Sequence, residues 1–243
     1  MLESGYQTPA KVTFNNIRTK EQLAKRLSDQ LMLDSVQIIS LLNDPSVLKP
    51  YGLNPQTVGC MFIPNTYEMY WNIDGKELLE RMWKEYNKYW NDERKEKALK
   101  AGFSQIEISI LASIVEEETN NKEEKPTVAG LYINRLRSNI PLQADPTVKF
   151  ALYDFSLKRI LREQLTVDSP YNTYLYKGLP PGPIRIPSIE SIESVLNYEH
   201  HEYIYMCAKE DLSGSHNFAK TYEEHQKNAV NYRRALNRRN IYR

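Results

Sequence analysis

Three consecutive glutamates, 116–118, lie at the end of a segment with the residue pattern of a helix. Ser104 and Glu107 have the spacing of a capping box, which satisfies free backbone N–H groups at a helix start. Carboxyl groups give and take protons, and burial decides whether one of them keeps its proton near neutral pH. Apolar residues recur every three or four positions in 104–119 and predict one broad buried stripe: Ile106, Ile108, Ile110, Leu111, Ile114 and Val115.

Helical phase separates Glu118 from its two neighbours. Glu118 lies four residues beyond Ile114 and three beyond Val115, so it projects from the buried stripe. Glu116 follows a small, weakly polar face, and Glu117 lies on the flank of the stripe. Desolvation raises the pKa of a carboxyl group, and the negative end of the helix macrodipole acts in the same direction. Glu118 is therefore a candidate general acid and Glu116 is the alternative, but position alone leaves the choice open, because most carboxyl groups of this kind are paired structurally.

Other kinds of chemistry have no support in the sequence. Neither GxxxxGK[ST] nor GxGxxG occurs, so no phosphate-binding loop is predicted, and there is no GxSxG nucleophile motif. The histidines, His200, His201, His216 and His225, lack metal-ligand spacing, so we expect surface or structural roles for them and predict no metal and no cofactor. Carboxylate chemistry beside polar and aromatic loops fits a carbohydrate-active enzyme.

Composition narrows the partners of this chain. Its 32 basic and 31 acidic residues nearly balance, so nucleic acid is not indicated. Its 17 tyrosines and 3 tryptophans suit stacking on sugars as well as packing in a core. Cys60 and Cys207 are too few for a disulfide scaffold, although a single bridge stays open. There is no apolar run long enough to span a membrane and no signal-peptide pattern, and the polar start of the sequence has the composition of a linker.

The N-terminal part predicts a small lobe followed by a long helix. Residues 11–15 alternate like a strand, and Asp34 has the position of an N-cap. Proline and glycine make 44–60 a loop-rich boundary, and we expect the aromatic segment 61–72 to be an edge segment or a cleft wall. The predicted helices of this part cover residues 20–32, 35–43 and 75 to about 100.

The residues after 119 predict further helices and short strands. Pro126 suits the first turn of a helix that follows a solvated linker at 120–126. Pro141 and Pro146 rule out a central strand, and Asp145 can cap a short helix. The predicted helices cover 126–137, a short segment from 146, 188–198 and a segment from about 221; the predicted strands cover 171–177, 202–208 and 215–219. The pattern predicts a helix-rich α+β fold with short strands.

Six segments in a fixed order resemble the YceG-like family, which are endolytic murein transglycosylases. They are GCMFIPNTYEMYW at 59–71, ASIVEEET at 112–119, VAGLYINRLR at 128–137, PLQADPTVKFAL at 141–152, SPYNTYLYKGLPPGPI at 169–184 and GSHNF at 214–218. The resemblance extends over roughly residues 10–235. Several motifs at consistent spacing make it more specific than any one of them.

The resemblance implies a domain organisation and an activity. Residues 1–58 would be part of a small LysM-like lobe of strand, helix and helix, and residues 59–243 would be the YceG-like catalytic domain. The family cleaves the β-1,4 bond between N-acetylmuramic acid and N-acetylglucosamine in nascent glycan strands and leaves 1,6-anhydro-muramyl ends. The catalytic glutamate of its E-x-E-T motif falls on Glu118. A non-catalytic glycan-binding or scaffold module of cell-wall synthesis is the alternative function.

Polar residues in the resembling motifs are the predicted substrate contacts: Asn134, Gln143, Asp145, Tyr171, Asn172 and Thr173. Short polar side chains on a stiff backbone suit the N-acetyl and hydroxyl groups of a sugar. Structural alternatives stay open for each of them. Asp145 can merely cap a helix, Asn134 can cap the end of its own helix, and Tyr171 can be a core aromatic residue.

The resemblance also implies partners and a location. The substrate would be peptidoglycan glycan strands, and the partners would be peptidoglycan synthases, the penicillin-binding proteins. The expected location is the cell envelope, at the outer face of the cytoplasmic membrane. Family members usually begin with a membrane anchor, which this sequence does not contain, so we expect membrane attachment only through an anchor outside it.

Overall fold

The computed structural model describes residues 8–157 and 159–239 and confirms the predicted α+β class. These residues form ten α-helices: α1 (Lys20–Ser28), α2 (Ser35–Asn43), α3 (Pro45–Leu48), α4 (Gly75–Tyr89), α5 (Asp92–Ala101), α6 (Gln105–Glu118), α7 (Lys125–Arg137), α8 (Asp145–Leu152), α9 (Ile189–Leu196) and α10 (Tyr222–Arg238). They also form two antiparallel two-stranded sheets, from β1 (Ala10–Phe14) with β2 (Asn65–Met69) and from β3 (Tyr205–Ala208) with β4 (His216–Ala219).

The first sheet and the helices that follow β1 confirm the predicted strand–helix–helix order, although α1 ends at Ser28 and not at residue 32. Val12 lies opposite Tyr67 in the β1–β2 register, and both side chains are buried. The carboxylate of Asp34 caps α2 by accepting the Val36 N–H at 2.7 Å, and the side chain of Gln37 completes the capping box. The strand–helix–helix order is thus present, whereas the likeness of this segment to a LysM module stays a prediction.

Two helices occupy the segment for which the sequence predicted one long helix, so that prediction is wrong. α4 ends at Tyr89 and α5 begins at Asp92. The side chain of Asn91 accepts the backbone N–H of Arg94 at 3.0 Å and so caps a new helix. Trp90, which has no exposed surface, anchors the break between the two helices. Burial of the Trp90 indole and the cap at Asn91 together end the first helix, although the charged residues continue through this point without interruption.

α6 begins as the sequence predicted. Oε2 of Glu107 accepts the Ser104 N–H at 2.8 Å, and Oγ of Ser104 accepts the Glu107 N–H at 3.2 Å, which makes the capping box. Every residue from 108 to 115 is buried. The middle of α6 is therefore enclosed on all sides, and the prediction of a single buried stripe needs correction.

The segment before α7 is more buried than its charges suggested. Pro126 lies in the first turn of α7 as predicted, but Glu124 and Lys125 are buried rather than solvated. Nζ of Lys125 lies 2.7 Å from Oε1 of Glu190 and 3.1 Å from Oγ of Ser191. A charged residue tolerates burial when it is paired in this way, so composition alone misjudged the linker.

The region after α7 contains two further corrections. α8 starts at Asp145, with Ala144 at the N-cap position and no capping side chain, so Asp145 is not a helix cap. Residues 171–177 form turns, and the strand predicted there is wrong. Nδ2 of Asn172 donates to the carbonyl oxygens of Leu165 and Val167, each at 2.9 Å, and these bonds fold the backbone back instead of extending it.

The C-terminal elements follow the predicted order. Both strands are shorter at their N-terminal ends than predicted, and the Thr221 side chain caps α10 by accepting the Glu224 N–H at 3.2 Å. Cys207 on β3 is a half-buried free thiol, and Cys60 is a buried free thiol, so the two form no disulfide. Burial raises the pKa of the Cys60 thiol to about 12.

The described residues group into two compact units. One consists of the described part of Met1–Ser113 with Pro181–Ile189, and the other consists of the described parts of Ile114–Pro180 and Glu190–Arg243. The division falls inside α6, whereas the boundary after residue 58 stays a prediction about the family's lobes. Among the described helices, no single one is long and apolar enough to cross a membrane; α5 and α6 meet that requirement only as a pair, and they are bent by 76°.

Candidate active site

Glu118, the last residue of α6, lines a cavity of about 410 Å³ in the second compact unit. Glu116 and Glu117 are not among the residues that line this cavity. The other polar and aromatic side chains around it come from α7, α8, α10, the β3–β4 hairpin and the intervening loops: Tyr132, Arg135, Gln143, Asp145, Tyr174, Tyr205, His216, Tyr222 and His225. Glu118 therefore faces a space in which a ligand could reach its carboxyl group.

The hydroxyl group of Tyr132 holds the carboxyl group of Glu118, at 3.1 Å from Oε2. Desolvation by burial is the largest influence on Glu118 and raises its pKa. His216, the Tyr132 hydrogen bond and Lys149 act in the opposite direction, while the nearby Asp145 adds to the rise. The net effect is a raised pKa, so this carboxyl group keeps its proton to higher pH than an exposed glutamate does.

Helical phase does not explain why Glu118 lines the cavity and Glu116 does not, although it placed the two residues on different faces of α6. Ser109 and Ser113, on the face that leads to Glu116, are as completely buried as the apolar residues of α6. Burial in the middle of α6 therefore does not distinguish the face that leads to Glu116 from the face that leads to Glu118. Glu118 is distinguished by the cavity and by the hydroxyl group of Tyr132, which comes from another helix and which phase could not reveal.

Gln143 and Asp145 are the two predicted contact residues that line the cavity together with Glu118. Gln143 has a positive φ of 53°, a conformation that costs free energy in a residue with a side chain and often occurs at functional sites. Its Oε1 accepts a hydrogen bond from the Arg135 guanidinium at 2.6 Å. Oδ1 of Asp145 accepts the hydroxyl hydrogen of Tyr174 at 2.6 Å. Both side chains are therefore held in fixed orientations at the cavity.

Asn172 and Thr173 are buried and are not among the cavity-lining residues. The carbonyl oxygen of Thr173 accepts the Gln143 N–H at 3.0 Å, and its Oγ1 accepts the Ala144 N–H at 3.1 Å. Oγ1 also lies 2.8 Å from Oγ1 of Thr147. These bonds fasten the turn at 171–177 to the segment that presents Gln143. Direct substrate contact by Asn172 or Thr173 stays a prediction.

Asn134 and Tyr171 also lie outside the cavity lining. Nδ2 of Asn134 donates to the carbonyl oxygens of His201 and Tyr203, at 2.7 and 3.1 Å, and so ties α7 to the segment before β3. Tyr171 packs its ring against Phe150, with 4.7 Å between the ring centroids. Both contacts are structural, and direct substrate contact by either residue stays a prediction.

His216, for which a surface or structural role was expected, lines the cavity. The buried carboxylate of Glu124 fixes it, since Oε1 accepts the His216 backbone N–H at 2.6 Å and Oε2 lies 2.9 Å from Nδ1. Thr119, the neighbour of Glu118, donates its hydroxyl hydrogen to the same Oε2 at 3.0 Å. Because a carboxylate only accepts, Nδ1 carries the proton and Nε2 is left for other contacts. His216 belongs to GSHNF, but its partner lies 92 residues earlier, beyond any local pattern.

His225 also lines the cavity, where a surface or structural role was expected. Its ring is stacked on Tyr205, with centroids 5.4 Å apart, and Tyr222 lies beside both. Burial lowers the pKa of His225, and the Arg135 guanidinium acts in the same direction. In the described part of the chain, no group of three or more histidine, cysteine, aspartate or glutamate residues has the arrangement of a metal site.

A desolvated carboxyl group in a polar and aromatic cavity can act as a general acid. The chain belongs to the YceG-like family, whose family model matches residues 1–231. A crystal structure of a YceG-like protein from Listeria monocytogenes has the same fold, with a TM-score of 0.73 and 30% identity over 93% of this chain and 78% of that one.

Two bacterial relatives carry the name endolytic murein transglycosylase. The protein of Bacillus subtilis is 31% identical in an alignment of 227 positions that covers 87% of this chain and 62% of that protein. The protein of Streptococcus pneumoniae is 32% identical in an alignment of 130 positions that covers 52% of this chain and 23% of that protein. The chain thus spans less than two thirds of the length of either relative.

Proposed function

We propose that this chain is the catalytic part of an endolytic peptidoglycan lytic transglycosylase. It would cleave the β-1,4 bond between N-acetylmuramic acid and N-acetylglucosamine within nascent glycan strands and leave 1,6-anhydro-muramyl ends. The observation that carries the proposal is the desolvated carboxyl group of Glu118 in the cavity of a YceG-like chain. The names of the two bacterial relatives support the same class of reaction.

The first step needs an acid at the glycosidic oxygen. Glu118, protonated because its pKa is raised, would give its proton to this oxygen as the bond to C1 of the muramyl ring breaks. Positive charge then develops at C1 and its ring oxygen, as in other glycosidic cleavages. The leaving strand departs with a free hydroxyl group, and Glu118 remains as a carboxylate.

The second step uses the same residue as a base. The C6 hydroxyl of the muramyl ring attacks C1, and the Glu118 carboxylate takes the hydroxyl proton as the new C–O bond forms. One C–O bond breaks and one forms, Glu118 regains its proton, and no water is consumed. Because the substrate supplies its own nucleophile, a single carboxyl group can serve both steps, unlike the pair that hydrolases use.

Groups around Glu118 would support both of its charge states. The Tyr132 hydrogen bond and the electrostatic effect of His216 favour the carboxylate, while burial favours the protonated acid. Gln143 and Asp145 would contact the N-acetyl or hydroxyl groups of the sugars, because they line the same cavity. Asn134, Tyr171, Asn172 and Thr173 would position these groups through the contacts described above.

The proposal includes a cellular setting. The reaction on nascent strands would take place in the cell envelope, at the outer face of the cytoplasmic membrane. Peptidoglycan synthases, the penicillin-binding proteins, would supply these strands and so would be partners. Both relatives have the word murein in their names, which supports peptidoglycan as the substrate.

Digestion of glycan strands by the chain and by two variants tests the function. Glu118→Gln keeps the size and the hydrogen bonding of the side chain but cannot transfer the proton, so cleavage should fall at least about 1,000-fold, the range expected when an essential acid is lost. Glu116→Gln, two residues earlier on α6, should keep most of the activity. Full activity of Glu118→Gln would overturn the assignment of the acid.

Binding without cleavage would instead favour a glycan-binding or scaffold module. In that case the unmodified chain retains glycan strands but releases no shorter products at any enzyme concentration. Circular dichroism of Glu118→Gln must match that of the unmodified chain. A loss of folded structure in this variant would make Glu118 a structural residue and remove the basis of the proposal.

A further inference from the structure

We propose that Tyr205, Tyr222 and His225 form an aromatic wall that binds a sugar ring of the glycan in the cavity of Glu118. This inference rests on the proposed function and deepens it, since it assigns a saccharide subsite to residues that lie outside the family motifs discussed above. The ligand class is a neutral saccharide with hydroxyl and N-acetyl groups. The wall joins a strand, β3, to the first turn of α10.

Tyr222 is exposed to a degree that core packing does not explain. The residue is 61% exposed, although it lies at the cavity beside two other rings. Its centroid is 6.0 Å from that of Tyr205 and 6.3 Å from that of His225. Tyr205 and His225 are themselves stacked at 5.4 Å with an angle of 24° between the ring planes. The ring plane of Tyr222 is tilted by 59° to that of Tyr205 and by 37° to that of His225, so Tyr222 would itself supply the aromatic face for the apolar side of a sugar ring.

A buried nitrogen atom of the wall lacks a partner. Nδ1 of His225 has no hydrogen-bond partner within the described residues, although it is shielded from solvent. A buried polar atom without a partner costs free energy, so such atoms in native proteins call for an explanation. Because Nδ1 is shielded from solvent, the imidazole ring must turn toward the cavity before a sugar hydroxyl group, which can donate and accept, satisfies this nitrogen in either tautomer.

The charged neighbour of the wall is already engaged. The guanidinium group of Arg135 donates to the carbonyl oxygens of Pro141 and Ile204 and to the side chain of Gln143, at 2.9, 2.8 and 2.6 Å. Arg135 therefore acts on His225 through its positive charge and, together with burial, lowers the pKa of this histidine. An uncharged imidazole suits hydroxyl groups better than it suits an anion.

Binding measurements in the uncleaving Glu118→Gln background test the subsite. The probe is a short oligosaccharide of alternating N-acetylglucosamine and N-acetylmuramic acid without stem peptides, with its lactyl carboxyl groups converted to amides so that it is neutral, and calorimetry gives its Kd. Loss of one stacking ring should weaken binding about tenfold in Tyr222→Ala, while Tyr222→Phe, which keeps the ring, should stay within about twofold. His225→Phe keeps the stacking but loses Nδ1, and should weaken binding about fivefold.

Tyr176→Ala is the matched control, because Tyr176 is an exposed tyrosine of the same compact unit and is not among the cavity-lining residues. It should leave the Kd within about twofold. If Tyr222→Ala binds the probe as tightly as Tyr176→Ala does, the wall is not a subsite, although the proposed function stands. If the Glu118→Gln chain does not bind the probe at all, the proposed function fails and the subsite fails with it. If His225→Phe loses the circular dichroism signal of its helices, the comparison of Tyr222→Ala with Tyr222→Phe decides the test alone.

Discussion

The hydroxyl group of Tyr132 lies 3.1 Å from Oε2 of Glu118 and joins two helices at the cavity. Tyr132 is fully enclosed on α7, so its ring cannot turn away without disturbing the core. Burial raises the pKa of this hydroxyl group, and the nearby Glu118 contributes to the rise, so the hydroxyl stays protonated. Tyr132 is therefore a permanent donor that orients Glu118 and stabilises its carboxylate form.

Removal of this donor should shift the pH dependence of activity. The Tyr132 hydrogen bond lowers the pKa of Glu118, so Tyr132→Phe should raise that pKa further. Cleavage requires the protonated acid in its first step, and the activity that is lost at high pH should therefore persist to higher pH in the variant. The rate at the optimum should fall by up to about tenfold, because the carboxylate of the second step loses one hydrogen bond. A pH–rate profile that moves to lower pH would contradict this role of Tyr132.

Glu118 should make the folded chain less stable as pH rises. Its folded-state pKa is raised above the ordinary value of 4.5, so the folded state holds a proton that the unfolded state has released. The free energy of unfolding therefore falls as pH rises from the unfolded-state pKa to the folded-state pKa, and the loss persists above both. Glu118→Gln removes this loss, so urea unfolding should show a more stable variant at about pH 8 and little difference at about pH 4.

Glu123→Gln, an exposed change near the same helix end, is the control for this measurement. Glu123→Gln should not show the higher free energy of unfolding that is expected for Glu118→Gln at the higher pH. A Glu118→Gln variant that is no more stable than the unmodified chain at either pH would show that burial does not penalise the carboxylate, and the raised pKa would then lose its physical cause.

Glu124 should matter for stability even though it is a charged residue in a polar stretch. Its buried carboxylate accepts hydrogen bonds from the Thr119 hydroxyl and from the backbone and side chain of His216. Glu124→Ala leaves these buried donors without an acceptor and should lower the free energy of unfolding by about 2–4 kcal/mol, because each unpaired group costs its desolvation. Glu123→Ala should change it by less than about 0.5 kcal/mol in the same urea titration. Equal effects of the two changes would contradict the network.

Gly130 of α7 has no room for a side chain. A methyl group at this position would collide with the carbonyl oxygen of Glu199 and would lie 2.7 Å from Nε2 of His201. Gly130→Ala should therefore lower the free energy of unfolding by about 1–3 kcal/mol, and the Tm with it, although alanine is the better helix former. At Gly59 the added methyl group meets its nearest neighbour at 3.5 Å, so Gly59→Ala should be tolerated. An unchanged or raised Tm of Gly130→Ala would contradict the close approach of these segments.

Local sequence signals predicted the element starts that depend on residues a few positions apart. The cap of α2 at Asp34, the Ser104–Glu107 box of α6 and the start of α10 after Thr221 are all present. Each relies on a side chain that bonds to a backbone group within one helical turn, so the sequence contains both partners. The break at Asn91 relies on the same kind of bond but was hidden by a continuous charged pattern.

Signals between distant residues were not available from the sequence. The alternating pattern around Asn172 indicated a strand, and it did not show that the Asn172 side chain bonds back to the carbonyl groups of Leu165 and Val167. For His216 the sequence indicated only a surface or structural role, because Glu124, which holds it, precedes it by 92 positions. Glu118 is the one of the three consecutive glutamates that lines the cavity, but the Tyr132 hydroxyl that orients it became visible only in three dimensions.

The masses of the products from nascent glycan strands test the central claim most directly. Strands are incubated with the chain or with Glu118→Gln, and the released fragments are analysed by mass spectrometry. If Glu118 serves as acid and then as base while C6–OH attacks, each internal cleavage should yield a muramyl end one water lighter than a hydrolysed end, with no such product from Glu118→Gln. Reducing muramyl ends from the unmodified chain would contradict the account, because they require water as the nucleophile.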